Sequence, residues 1–124
     1  MHQLVPSLAL LAVMVIGHVA TAVDLHVSPQ GNDAWTGTLE RPNETNTDGP
    51  LASLLGARDA IRKLQAAGPL QQPIRVRIQS GEYAVRESLV FEPQDSGTDQ
   101  CPISYVGDSD ERPIISGGRR ITGW

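Results

Sequence analysis

Pro73-Ile74-Arg75-Val76-Arg77-Ile78-Gln79 is the stretch that decides the fold class. In an extended chain, Ile74, Val76 and Ile78 fall on one face, and Arg75, Arg77 and Gln79 on the other. A helix would scatter the same apolar residues around its circumference. Branched aliphatic side chains suit a pleated, half-buried surface. Pro73 opens the stretch and Ser80-Gly81-Glu82 closes it as a turn, so it reads as a strand with one buried face.

Working outward, the same signal recurs. Leu89-Val90-Phe91 reads as a second short strand, ended by Pro93. Pro102 to Val106 reads as a third, with Ile103 and Tyr105 on one face, and Pro113 to Ser116 as a fourth, ended by Gly117-Gly118. Upstream, Asp24 to Ser28 alternates polar and apolar and stops at Pro29, giving a short first strand. After Pro73, the strand centres lie roughly 11 to 14 residues apart with turn residues between them, which suggests a sandwich, a barrel or a solenoid. A sandwich would show hairpin dipeptides between neighbouring strands. The Asp48-Gly49 pair instead falls in a long loop, and the strand-linking segments exceed two-residue hairpins. Short strands joined by bent corners favour a parallel β-helix, with each turn stacked on the next.

One helix stands out. Leu54, Ala57, Ile61 and Leu64 share a face, while Arg58, Asp59, Arg62 and Lys63 lie mostly elsewhere. Ser53 supplies an N-cap hydroxyl, and Gly68-Pro69 is a strong stop. Gly56 breaks the pattern, because glycine inside a helix costs about 1 kcal/mol relative to alanine. The expected role of the apolar face is to cover the open end of a solenoid.

Gln30 to Pro50 is rich in Gly, Asn, Asp, Thr and Pro, and long enough to need ordering by its own contacts. It holds a formal glycosylation sequon, Asn43-Glu44-Thr45. Met1 to Ala22 has no Asp, Glu, Lys or Arg, with an unbroken apolar run from Leu8 to Ile16 and the small residues Ala20-Thr21-Ala22 after it. That layout is a secretory signal peptide, with cleavage expected after Ala22 and export to the periplasm or medium. The apolar run is shorter than the roughly 20 residues a membrane span requires, so no stable span is expected after cleavage. The formal net charge of −4, with no Lys/Arg-rich run, argues against a nucleic-acid binder. Cys101 is the single cysteine and precedes Pro102, so neither a disulfide within the chain nor a catalytic thiol is expected.

Five blocks, in order, carry a resemblance. They are Val27-Ser28-Pro29-Gln30-Gly31-Asn32-Asp33-Ala34-Trp35-Thr36-Gly37; Asp48-Gly49-Pro50-Leu51-Ala52-Ser53-Leu54 running into Ala57-Arg58-Asp59-Ala60-Ile61-Arg62; Gly81-Glu82-Tyr83; Pro93-Gln94-Asp95-Ser96-Gly97-Thr98; and Pro113-Ile114-Ile115-Ser116-Gly117-Gly118. Together they resemble the start of bacterial secreted right-handed parallel β-helix proteins of the pectate-lyase-like superfamily. The resemblance implies a mainly β solenoid start with an N-terminal capping helix, in an incomplete domain. On that reading, residues 1–22 are the signal peptide, 23–72 are the first strand, long loop and capping helix, and 73–124 are the first, truncated coils. It also implies a secreted carbohydrate-active protein of the polysaccharide lyase or glycoside hydrolase type, acting on polysaccharide, with its catalytic site downstream of this segment. The competing readings are a non-catalytic exported β-helix that binds or adheres, and a small complete binding module.

No residue is assigned to catalysis or to metal binding. Asp95 and Asp99 read as a solvated turn rather than an acid/base pair. Asp108, Asp110 and Glu111 form a local acidic cluster where calcium is the cation to consider, in the full-length protein if anywhere; no cofactor is otherwise identifiable. Arg75 and Arg77 face outward and could meet an acidic sugar, but a solubilising sheet surface is the better account of them, since outward residues of alternating strands are normally polar. Trp35, in the Gly/Asn-rich loop, is the single substrate-binding candidate. A sugar can stack on its face, and the competing role is to pin the loop.

Overall fold

The computed structural model describes residues 21–108 and 110–124. The expected signal peptide therefore lies almost wholly outside the described residues. β1 (Val23–Val27) leads through the long loop to α1 (Leu54–Ala66), then to β2 (Ile74–Ile78), β3 (Glu82–Ala84), a 3-10 turn (Pro93–Ser96), β4 (Ile103–Gly107) and β5 (Ile114–Ser116). β1, β2 and β4 form a parallel three-stranded sheet in that order, and β3 and β5 form a separate parallel pair. Parallel neighbours need a crossover of a dozen residues or more, and α1 supplies the one between β1 and β2.

The Ile74–Ile78 reading holds. Ile74, Val76 and Ile78 are buried, opposite Val23, Leu25 and Val27 on one side and Ile103, Tyr105 and Gly107 on the other. Leu25, Val27, Leu51, Ala57, Ile61 and Tyr83 complete the core. The outer edge of β1 is closed by the long loop. His26 N donates to Gly37 O, Leu51 N to His26 O, and Ser28 N to Leu51 O. An edge covered in this way offers no free ladder to a second chain.

The expected right-handed parallel β-helix is not what these residues form. They form a small α/β arrangement of five short strands in two parallel sheets with one helix, and no solenoid turn is completed among the described residues. The segment that fails is Leu89-Val90-Phe91, which is not a strand. Its backbone is drawn to the helix instead: Arg58 Nη1 donates to Val90 O at 2.8 Å. Pro93 then starts the 3-10 turn, which Arg62 ties to α1 through Glu92 and Asp95. A second correction concerns Glu82, which opens β3 rather than ending a turn.

The helix begins where its cap predicts. Ser53 Oγ accepts from Gly56 N at 2.9 Å. It ends at Ala66 with Ala67 as its C-cap, and Gly68 takes φ +148°, a conformation that favours glycine. Ala57 and Ile61 are buried in the core and Leu54 packs against it. Leu64, expected on the covered face, is 45% exposed, so the face closes the β1 side of a small core rather than the end of a solenoid.

Candidate functional site

Trp35 sits in a loop held by its own side chains. Asp48 is the hub. Its carboxylate accepts from Thr36 N at 2.9 Å, from Thr36 Oγ1 at 2.9 Å on both oxygens, and from Gly49 N at 2.9 Å. The Thr36 contacts hold the Asp48 carboxyl below its ordinary range, because hydrogen bonds to the charged form favour it. Asn43 anchors the far end of the loop. Its Oδ1 accepts from Thr47 N at 2.8 Å and Asp48 N at 3.2 Å, and its Nδ2 donates to Thr47 Oγ1 at 2.9 Å. The sequon asparagine is thus a structural pin in the folded chain.

Trp35 itself is half-buried. Its ring lies against Gly49, where an added β-carbon would come within 2.7 Å of two ring carbons. The ring therefore pins the loop, and it also lines a cleft of about 630 Å³ with Thr36, Thr38, Leu55, Asp59 and Lys63. Asp59 accepts from Arg58 at 2.9 Å. The Lys63 ammonium has no hydrogen bond or ion pair to any described residue. The cleft thus combines an aromatic wall, hydroxyls and a free cation, a set suited to a polar ring with an apolar face.

The other candidates have structural partners. Asp95 is buried, not solvated: Arg62 donates to both of its carboxylate oxygens, at 2.9 and 2.7 Å, and the Glu92 amide donates at 2.8 Å. Chiefly through the Arg62 hydrogen bonds, its carboxyl is pulled down to about 2. Asp99 is exposed and is not brought to Asp95 as a partner. Arg75 donates to Asp24 at 2.9 and 3.0 Å, and Arg77 pairs with Asp24 at 3.5 Å and with Asp108. The outward sheet face is an ion-pair ladder across β1, β2 and the end of β4. It leaves neither guanidinium free for an acidic sugar. Asp108 is therefore spent on Arg77, and among the described residues no group of three or more His, Cys, Asp and Glu side chains could hold a metal ion. Cys101 is buried, with its thiol donating to Leu70 O at 3.3 Å.

Two features escaped the sequence reading. One is the contact of Asp33 with the helix start: its Oδ1 accepts from Ala52 N at 2.8 Å and Ser53 N at 3.0 Å, and its Oδ2 accepts from Ser53 Oγ at 2.6 Å. An Asp 20 residues before a helix cap has no local signature. The other is Tyr83, whose hydroxyl lies 2.7 Å from Gln79 O and 3.1 Å from Val27 O, and whose pKa burial pushes up to about 12.

No known protein-family profile matches the chain, and no curated protein sequence matches it. Among solved structures it is similar to one titled "Glycoside hydrolase", with a TM-score of 0.64 and 32% sequence identity. The likeness covers 83% of this chain and 16% of that one, so the chain spans about a sixth of the length of the structure it matches.

Proposed function

We propose that this chain is a non-catalytic part of a carbohydrate-active polypeptide, contacting polysaccharide while the bond-breaking groups lie outside residues 21–124. The observation that carries the reading is the likeness to a glycoside hydrolase, 32% identical over most of this chain. The small share of that protein involved leaves ample room for its chemistry elsewhere. Five of the fourteen carboxylates are committed to other work: Asp24, Asp95 and Asp108 are paired with arginines, Asp48 holds the loop, and Asp33 holds the Ser53 cap of the helix. Glycoside hydrolysis needs two free carboxyl groups facing one sugar, about 5 to 9.5 Å apart. On this reading the Trp35 cleft is the sugar contact, and export follows from the composition of residues 1–22.

The test uses the full chain in affinity electrophoresis against a panel of neutral and acidic polysaccharides, with a parallel assay for new reducing ends. Expected are retardation by at least one neutral glycan, its weakening in Trp35→Ala, and no new reducing ends. Retardation by no glycan would sink the proposal. So would reducing-end release that a substitution within residues 21–124 abolishes.

A further inference from the structure

The sheet edges are guarded unequally. The long loop closes the outer edge of β1, whereas β5 pairs only with β3 among the described residues. Ile114 N donates to Gly81 O, and Ser116 O accepts from Val85 N, so residues 114 and 116 turn their main-chain groups towards β3. Those groups alternate in direction along a strand, so Ile115 turns its N–H and C=O to the free edge. Ile114 is 61% exposed and Ile115 51%, and a β-carbon at Gly117 would meet nothing within 4 Å. An open edge with exposed aliphatic side chains is a template for another strand.

Within β5 only Ile115 offers this edge both a donor and an acceptor, which fixes the register of a strand added by a second copy. Two-fold symmetry runs the copies antiparallel and sets Ile115 against Ile115, each N–H donating to the other's C=O. Counting outward, Ile114 faces Ser116, Pro113 faces Gly117 and Arg112 faces Gly118 of the second copy, so larger residues meet smaller ones. Further out, Glu111 faces Arg119 and Asp110 faces Arg120. Symmetry thus brings the acidic end of each segment beside the basic end of the other, and opposite charges across a strand pair stabilise it. Asp110, Arg119 and Arg120 are exposed, and none has an ion pair with a described residue. The outer edge of β4 is also unpaired among the described residues, but two-fold pairing about its central Tyr105 sets Asp99 opposite Glu111, like charge against like.

We infer that the free edge of β5 is an interface between two copies of this chain, antiparallel about Ile115 and charge-paired at its ends. An edge this short makes a weak dimer. The test is therefore sedimentation of the full chain over a range of concentrations, up to about 1 mM. A reversible monomer–dimer equilibrium is expected. Asp110→Lys and Arg120→Glu should each weaken it about threefold or more, as repulsion replaces two exposed ion pairs. D110K/R120E should return to the wild-type affinity, because the pair is rebuilt with its signs exchanged. Ile115→Pro should weaken the dimer about tenfold or more, since it removes the donor at the free edge and spares the ladder to β3. Ile115→Cys reads the register directly. Hydrogen-bonded antiparallel partners bring their α-carbons about 5.5 Å apart, within disulfide reach. Oxidation should link two copies of Ile115→Cys and leave Ser116→Cys unlinked. A chain that stays monomeric at every concentration overturns the inference. So does a dimer that all of these substitutions leave at wild-type strength with no cross-link through residue 115, which would place the contact on another face. A double charge variant no tighter than either single one overturns the pairing of Asp110 with Arg120, and the register with it. The charge variants alter exposed side chains only, so they decide the matter even where Ile115→Pro disturbs β5.

Discussion

A β-carbon on residue 56 would collide with Asp33 Oδ1, so the carboxylate that holds the Ser53 cap of α1 and the glycine in its first turn require each other. The glycine that weakens the helix by composition lets the loop reach the helix start. Gly56→Ala should therefore destabilise the chain, by about 1 to 3 kcal/mol, because the carboxylate must leave its amides or the turn must shift. In an Asp33→Ala background the same substitution should turn stabilising by about 1 kcal/mol, as helix propensity alone dictates. Urea unfolding of the four chains in a double-mutant cycle checks this. Additive effects would show that the two residues are independent.

The Arg62–Asp95 pair predicts an acid limb of stability. The folded carboxyl titrates at about 2, below its ordinary 3.8. Through that window the unfolded chain binds more protons than the folded one, so stability rises with pH. The contribution is fully present above about pH 4 and is lost as pH falls towards 2. Asp24, held low mainly by Arg75, acts in the same direction. Asp95→Asn should lower the melting temperature at neutral pH and flatten its slope between pH 2 and 4, leaving the part due to Asp24. An unchanged slope in a thermal series would refute the assignment.

Tyr83→Phe should cost about 1 to 2 kcal/mol, since the buried Val27 carbonyl and the part-buried Gln79 carbonyl lose a shared donor while the ring packing remains. The variant should also lose part of the ultraviolet phenolate transition near pH 12, leaving the share of the half-buried Tyr105, which titrates there too. A stability equal to wild type would mean that the hydroxyl is replaceable by solvent.

Asn43→Ala should loosen residues 43–48 without unfolding the core. The side chain organises three hydrogen bonds within the loop, and its loss should cost about 1 to 2 kcal/mol locally. Limited proteolysis reads this out: cleavage in this loop should precede any cleavage in β2 or α1. Simultaneous digestion of loop and core would show that the loop is integral to global stability.

Much of the local structure was legible in the sequence because its causes are local. Alternation marked Ile74–Ile78, the Ser53 hydroxyl marked the helix start, and Gly68-Pro69 marked its end. The strands at residues 23–27, 103–107 and 114–116 were found within a residue or so of their bounds. Trp35 was singled out as an aromatic in a polar loop, and the structure places it against Gly49 and at the wall of a cleft. Leu89-Val90-Phe91 misled because its apolar run is as strand-like as its neighbours, and nothing nearby announces that Arg58 will take the Val90 carbonyl.

The period of each segment and the points where the chain must turn follow from φ/ψ preferences and side-chain spacing over a few residues, and are written in the chain order of the amino acids. Which strands pair, and that the described residues make two small parallel sheets crossed over by one helix rather than a completed solenoid, is set by the packing of the folded chain. It alone also decided which charges are spent. Arg62 meets Asp95 across 33 residues and Asp33 meets the helix start across 20. Partners so far apart in the chain are chosen by the packing of whole elements, and no local pattern of residues encodes that choice.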